Sequence, residues 1–163
     1  DNEKYILTYY HNPHRWIDNL LDINNPIRNI ENWSNEIKYL NDQNDDVSEG
    51  IKNLPKNHGG IYIFYLKGIN LPFAENYILY IGRCQYTINQ NINKRANEYL
   101  KDERIEIKRM FRKWKEYLYY RYYPDTDNEK IRSNEVKLIR AIVPEYNEEI
   151  PDNIEIQDSV PAF

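Results

Sequence analysis

Two charged residues stand where helical spacing calls for apolar ones. After Thr87, the residues Ile88, Ile92, Ala96 and Tyr99 recur at intervals that place them on one helical face, and Arg95 falls inside that face. After Thr126, the residues Ile131, Leu138, Ile139 and Ile142 form a similar line, with Glu135 four positions from both Ile131 and Ile139. A charge aimed inward is costly unless it is paired or meets an ion. Two readings stay open: Arg95 and Glu135 pair with each other, or they face a bound ion or an anionic ligand. Two phenols join them. In Gly60-Ile61-Tyr62 and Tyr80-Ile81-Gly82, residues two apart share a strand face, so each tyrosine lies beside a glycine that leaves backbone bare for an approaching ligand. Either tyrosine alone fits plain sheet packing; with the inward arginine and glutamate they resemble a site.

The elements that must position these residues are legible in outline. Lys4 to Tyr10 reads as a strand. Asn25-Pro26 is a helix start, and Ile27, Ile30, Trp33, Ile37 and Leu40 carry helical spacing to Leu40. Asn41 to Gly50 is polar and acidic and reads as a linker, with a boundary near residue 55. Strands follow around Tyr62 and Tyr80, joined by a loop carrying Pro72. Thr87 is expected to cap a helix over 88–101, a second helix spans about 103–115, and Leu118 to Tyr123 forms a third strand closed by Pro124. Thr126 with Glu129 makes a capping-box pattern for a helix to about Ile142, stopped before Pro144. The order gives an α+β fold, a small three-stranded antiparallel sheet covered by helices, with a mostly helical N-terminal extension over 1–55, a main domain over 56–150 and a tail over 151–163.

Gly60-Ile61-Tyr62, Tyr80-Ile81-Gly82, Arg95, Glu135 in "NEVKLI" and Asn147 in "PEYN" together resemble the GIY-YIG nuclease family, over roughly residues 58 to 148. The resemblance implies a metal-dependent endonuclease that hydrolyses DNA phosphodiester bonds, of restriction, mobile-element or phage type, with RNA as a lesser possibility and a homodimer if both strands are cut. It gives Glu135 the part of a hard oxygen ligand for Mg²⁺ or Mn²⁺ and Arg95 that of a contact to the scissile phosphate. Tyr62 becomes the general base, with Tyr80 as its hydrogen-bonding neighbour and Arg83 as a cation favouring the phenolate. Asn147 is carried over as a residue that positions groups around the metal or phosphate. The alternative is a non-catalytic nucleic-acid or protein-binding module on the same fold. The chain departs from the family in the long spacer between the two tyrosines, in Arg83 where relatives often have lysine, and in Tyr99 where some have histidine.

Charge is unevenly spread. The formal net charge is −4, but residues 59–123 hold twelve Lys/Arg against six Asp/Glu, between two acidic flanks. A basic island of this kind suits a polyanion. Lys108, Arg109, Arg112, Lys113 and Lys115 lie off the apolar line Ile107, Met110, Phe111, Trp114 and Leu118, so they could track phosphates or simply form a solvated face. His11 and His14 have a spacing that could hold a metal but lack further ligands nearby. His58 either flanks the site or ends a loop. The single cysteine, Cys84, cannot form an internal disulfide and reads as a packing residue. No apolar run is long enough for a membrane helix, and Asp1 to Lys4 is too polar to open a signal peptide, so a cytoplasmic setting is expected.

Overall fold

The structure, a computed structural model, describes residues 22–70 and 74–151. The expected strand at Lys4 to Tyr10 and the pair His11 and His14 lie outside the described residues. Among the described residues the strands and α-helices are β1 (Ile37–Lys38), α1 (Glu49–Lys52), β2 (Gly59–Leu66), β3 (Ile78–Cys84), α2 (Ile92–Glu98), α3 (Ile105–Trp114), β4 (Leu118–Asp125) and α4 (Asn128–Ile142). The strands form one antiparallel sheet in the order β1-β4-β2-β3, so the sheet has four strands where three were expected.

The fourth strand comes from the region expected to be a long helix. Asn25 does cap and Pro26 does open a helical turn, but the turn closes after three residues, Pro26–Arg28. Asn29 then takes an extended backbone and caps a second 3₁₀ turn, Ile30–Asn32. Asparagine bonding its own backbone competes with helix propagation, and the edge of β4 offers the next segment better partners. Ser34 N donates to Tyr122 O at 2.8 Å, and Ile37 pairs with Tyr120. The expected linker is likewise folded: Leu40 bridges to Val47, and Ser48 caps α1.

The alternation of β2 and β3 divides the core in two. Tyr62, Phe64 and Tyr80 face a cluster with Tyr39, Leu40, Val47, Ile51 and Leu54 and with Ile92, Ala96, Tyr99, Ile107 and Met110, so α1, α2 and α3 cover that side. Ile61 and Ile81 face Ile131, Leu138 and Ile139 of α4, together with Ile27. The boundary expected near residue 55 therefore falls inside one hydrophobic cluster. Helix limits also shift. The cap of α2 is Asn91, whose side chain accepts from Lys94 N, while Thr87 opens a tight turn that leaves Ile88 fully exposed instead of on the inward stripe. Asp127, not Thr126, caps α4 by accepting from the N–H groups of Glu129 and Lys130. Ile142, expected on the buried line, is 40% exposed, because α4 leaves the sheet at its last turn before Val143 and Pro144.

Candidate functional site

β3 is an edge strand, and a segment after α4 is laid along its free side. Tyr146 N donates to Leu79 O at 3.0 Å, and the Asn147 amide binds both backbone groups of Ile81, accepting from its N–H at 2.9 Å and donating to its carbonyl at 2.8 Å. A cavity of about 360 Å³ opens around this edge, and Tyr62, Tyr80, Arg83, Arg95, Glu135 and Asn147 all line it. Residues from β2, β3, α2, α4 and the C-terminal segment thus meet at one place. Asn147 does so as a clasp on β3: both ends of its amide bond Ile81, so it acts on the groups around the cavity through the strand that carries them.

Tyr62 is opposite Gly82 and Tyr80 is opposite Phe64, so the two phenols are diagonal neighbours on one face. The glycines serve a different purpose from the one expected. A Cβ at Gly82 would lie 2.5 Å from the hydroxyl of Tyr62, so the ring of Tyr62 itself fills the space over Gly82. At Gly60, φ is +141° and a Cβ would lie 2.1 Å from the Tyr123 carbonyl oxygen. Both positions are packed within the sheet.

Tyr62 is completely buried. Its hydroxyl hydrogen-bonds with that of Tyr99 and accepts from Arg95 Nε at 3.2 Å. Burial pushes its phenol well above the ordinary tyrosine value, and the Arg95 charge only partly offsets this. Arg95 also donates from Nη2 to the Tyr99 hydroxyl at 3.4 Å, its guanidinium lies 4.7 Å from the centre of the Tyr99 ring, and Nη1 is 3.5 Å from Glu98. Arg95 is therefore aimed inward as its spacing implied, and its hydrogen-bond partners there are phenols, with Glu98 at the outer edge.

Glu135 does not pair with Arg95. Its Oε2 accepts from Arg83 Nη1 at 2.7 Å, with the glutamate side chain 15% exposed and the arginine 37%. Strand alternation explains this: Arg83 shares a face with Ile81 and points toward α4, away from Tyr62. The cation beside Tyr62 is Arg95, which corrects the part given to Arg83. Burial raises the Glu135 carboxyl above its ordinary value against the pull of Arg83. No group of three or more His, Cys, Asp or Glu side chains that could hold a metal occurs among the described residues. Arg83 holds Glu135 at Oε2, and a single carboxylate of this kind suits a hard cation that keeps most of its waters, as Mg²⁺ does.

The basic residues of α3, Lys108, Arg109, Arg112 and Lys113, and Lys115 just after it, are exposed, while Ile107 and Met110 are buried, as their spacing implied. Lys108 is in contact with Glu103, and Lys113 lies 4.6 Å from the Trp114 ring centre. His58 ends a loop: its carbonyl accepts from Ile92 N, and its ring stacks on Tyr122 at 5.4 Å. Cys84 is buried and its thiol is pushed up to about 11, so it is unreactive at neutral pH. Two groups that bond the phenols of Tyr62 and Tyr80 are not among the expected site residues. Tyr99, buried behind the cavity, reads from the sequence as part of the apolar stripe, although its place four residues after Arg95 puts both on one helix face. Arg104, which donates to the Tyr80 hydroxyl at 3.2 Å, lies in a turn without periodicity to mark it.

No helix among the described residues is long and apolar enough to cross a membrane. No protein-family model matches the chain, and no curated protein matches it. Solved structures similar to it include the GIY-YIG N-terminal endonuclease domain of UvrC from Thermotoga maritima. The form bound to its catalytic divalent cation, magnesium, is 22% identical, with a TM-score of 0.44 over 62% of this chain and 99% of that one. A point mutant bound to its catalytic divalent cation is 21% identical, with a TM-score of 0.45 over 62% and 93%. These solved neighbours are GIY-YIG endonuclease domains, the family whose motif residues this sequence resembles.

Proposed function

We propose that this chain is a divalent-metal-dependent endonuclease hydrolysing phosphodiester bonds in DNA. The observation that supports it most is the meeting of Tyr62, Tyr80, Arg95 and Glu135, from four separate elements, in one cavity at the edge of β3. Glu135 is the residue that would hold Mg²⁺ or Mn²⁺ through its carboxylate. Such an ion supplies charge neutralisation on the phosphate and a more acidic water.

The chain's own groups do the rest. Arg95 presents its planar fork to the scissile phosphate while its Nε stays on Tyr62, so the phosphate is held against the phenol. Tyr62 is the proposed general base. Burial keeps its proton on at neutral pH, and the Arg95 contact favours the phenolate against that burial without cancelling it. Tyr80 stands beside it on the same face and orients the attacking water. Arg83 fixes the carboxylate of Glu135 from behind. Asn147 keeps β3, and with it Tyr80 and Gly82, in register. Lys108, Arg109, Arg112, Lys113 and Lys115 track the duplex backbone outside the pocket.

Incubating supercoiled plasmid with the protein and Mg²⁺, and in parallel with EDTA, tests this reading. Nicked or linear product in Mg²⁺ alone is expected. Plasmid that is bound but uncut in both Mg²⁺ and Mn²⁺ overturns the nuclease and leaves a binding module.

A further inference from the structure

Arg104 lies on the wall of the same cavity, in the turn between α2 and α3, and none of the roles above uses it. Its guanidinium is fixed on one side by Asp102. Nε lies 3.0 and 3.2 Å from the two carboxylate oxygens, Nη2 lies 2.8 Å from Oδ2, and the Arg104 backbone N–H donates to Oδ1 at 3.0 Å. On the other side Nη1 donates to the Tyr80 hydroxyl at 3.2 Å. The guanidinium carbon is 5.8 Å from the Tyr80 ring centre and 5.9 Å from that of Tyr99. Asp102 is 12% exposed and Arg104 is 43% exposed, so the carboxylate lies behind and the guanidinium forms the surface.

This geometry leaves a defined part of the side chain unspent. A guanidinium has five N–H donors. Asp102 takes the one on Nε and one on Nη2, and Tyr80 takes one on Nη1, which leaves one donor on each terminal nitrogen. A donor on each terminal nitrogen of a pinned plane suits the oxygens of a phosphate, and holding the plane in advance reduces the ordering cost of binding. Of the other arginines in the cavity, Arg83 is held by Glu135, while Arg95 donates to the hydroxyls of Tyr62 and Tyr99 with Glu98 3.5 Å from its Nη1, and Glu106, Glu148 and Glu149 line the remaining wall. An incoming strand therefore meets repulsion except where a guanidinium faces it.

We propose that Arg104, pinned by Asp102, is a second phosphate-binding residue of the pocket. It takes the DNA phosphate adjacent to the scissile one and so sets the path of the cut strand past Tyr80. This rests on the nuclease reading for the identity of the anion. It is distinct from Arg95, which contacts the reacting phosphate.

The test measures plasmid nicking in Mg²⁺ over a range of protein concentrations, together with anisotropy of a labelled duplex at several salt concentrations, for wild type, Arg104→Ala and Arg104→Gln. The glutamine keeps a hydrogen bond to Asp102 without the charge and guards against a folding defect in the alanine variant. Both variants should raise the half-saturating concentration about tenfold, lower the limiting rate much less, and reduce the dependence of log affinity on log salt by about one contact. An unchanged half-saturating concentration and salt slope in a folded variant overturns the assignment, and so does a loss confined to the limiting rate, which marks Arg104 as a support for Tyr80. If wild type binds duplex without cutting, the nuclease reading fails while the salt slopes still decide Arg104. If wild type neither binds nor cuts, both fall.

Discussion

Tyr62 binds the pocket to the core, since its ring packs over Gly82 while its hydroxyl meets Tyr99 and Arg95. Gly82→Ala would push a methyl into a fully buried ring with no room to move, so a loss of about 2 kcal/mol is expected, readable as a lowered midpoint in urea. Cleavage should fall further than stability as the hydroxyl leaves Arg95. The same residue governs a pH dependence. Its phenol is held well above the ordinary value, so the phenolate fraction is small at neutral pH and grows with each step upward. If Tyr62 is the base, cleavage should rise steadily from pH 6 to 9, and Tyr62→Phe should abolish the activity with no alkaline recovery. A flat profile in the wild type counts against that role. At this scale the sequence reading placed Arg95 and Glu135 inward, because a charge on an apolar stripe stands out. It could not tell which partner each would take. Arg83 belongs to the opposite sheet face from Tyr62, and that follows from strand alternation once the register is known.

β3 is the element on which the site is hung, and it is an edge strand held on its free side by Asn147. Asn147→Ala removes two hydrogen bonds to Ile81, so a loss of about 1–3 kcal/mol is expected, with earlier hydrogen exchange at the amide of Ile81 than elsewhere in the sheet. Full stability and unchanged exchange would show that the clasp contributes nothing. The strands β2, β3 and β4 and the later helices were legible because their periodicity is strong and their ends carry glycine, proline or a capping side chain. The short β1 was not. Its two residues pair through β4, a partner more than eighty positions away, and Asn25 and Asn29 supply helix-start signals that end after one turn each.

At the scale of the whole molecule, the charge of −4 hides a basic middle, and α3 carries part of it on an exposed face away from Met110 and Ile107. Arg112→Glu combined with Lys113→Glu should weaken duplex binding for every sequence alike and flatten its salt dependence, as measured by anisotropy. Loss restricted to one sequence would assign those residues to base recognition instead.

The most direct measurement is cleavage of supercoiled plasmid in Mg²⁺ by Glu135→Gln beside wild type, with melting followed in the absence of metal. The folded carboxyl is raised by burial, so between the ordinary glutamate value and the raised one the folded chain binds more protons than the unfolded chain, and stability falls as pH rises through that window. Above it the charge is a net cost, and Arg83, 37% exposed, remains solvated when its partner is neutralised. The metal-free variant should therefore melt at or slightly above the wild-type temperature at pH 7, while its cleavage vanishes. Cleavage by Glu135→Gln at the wild-type rate would contradict the metal-dependent mechanism outright.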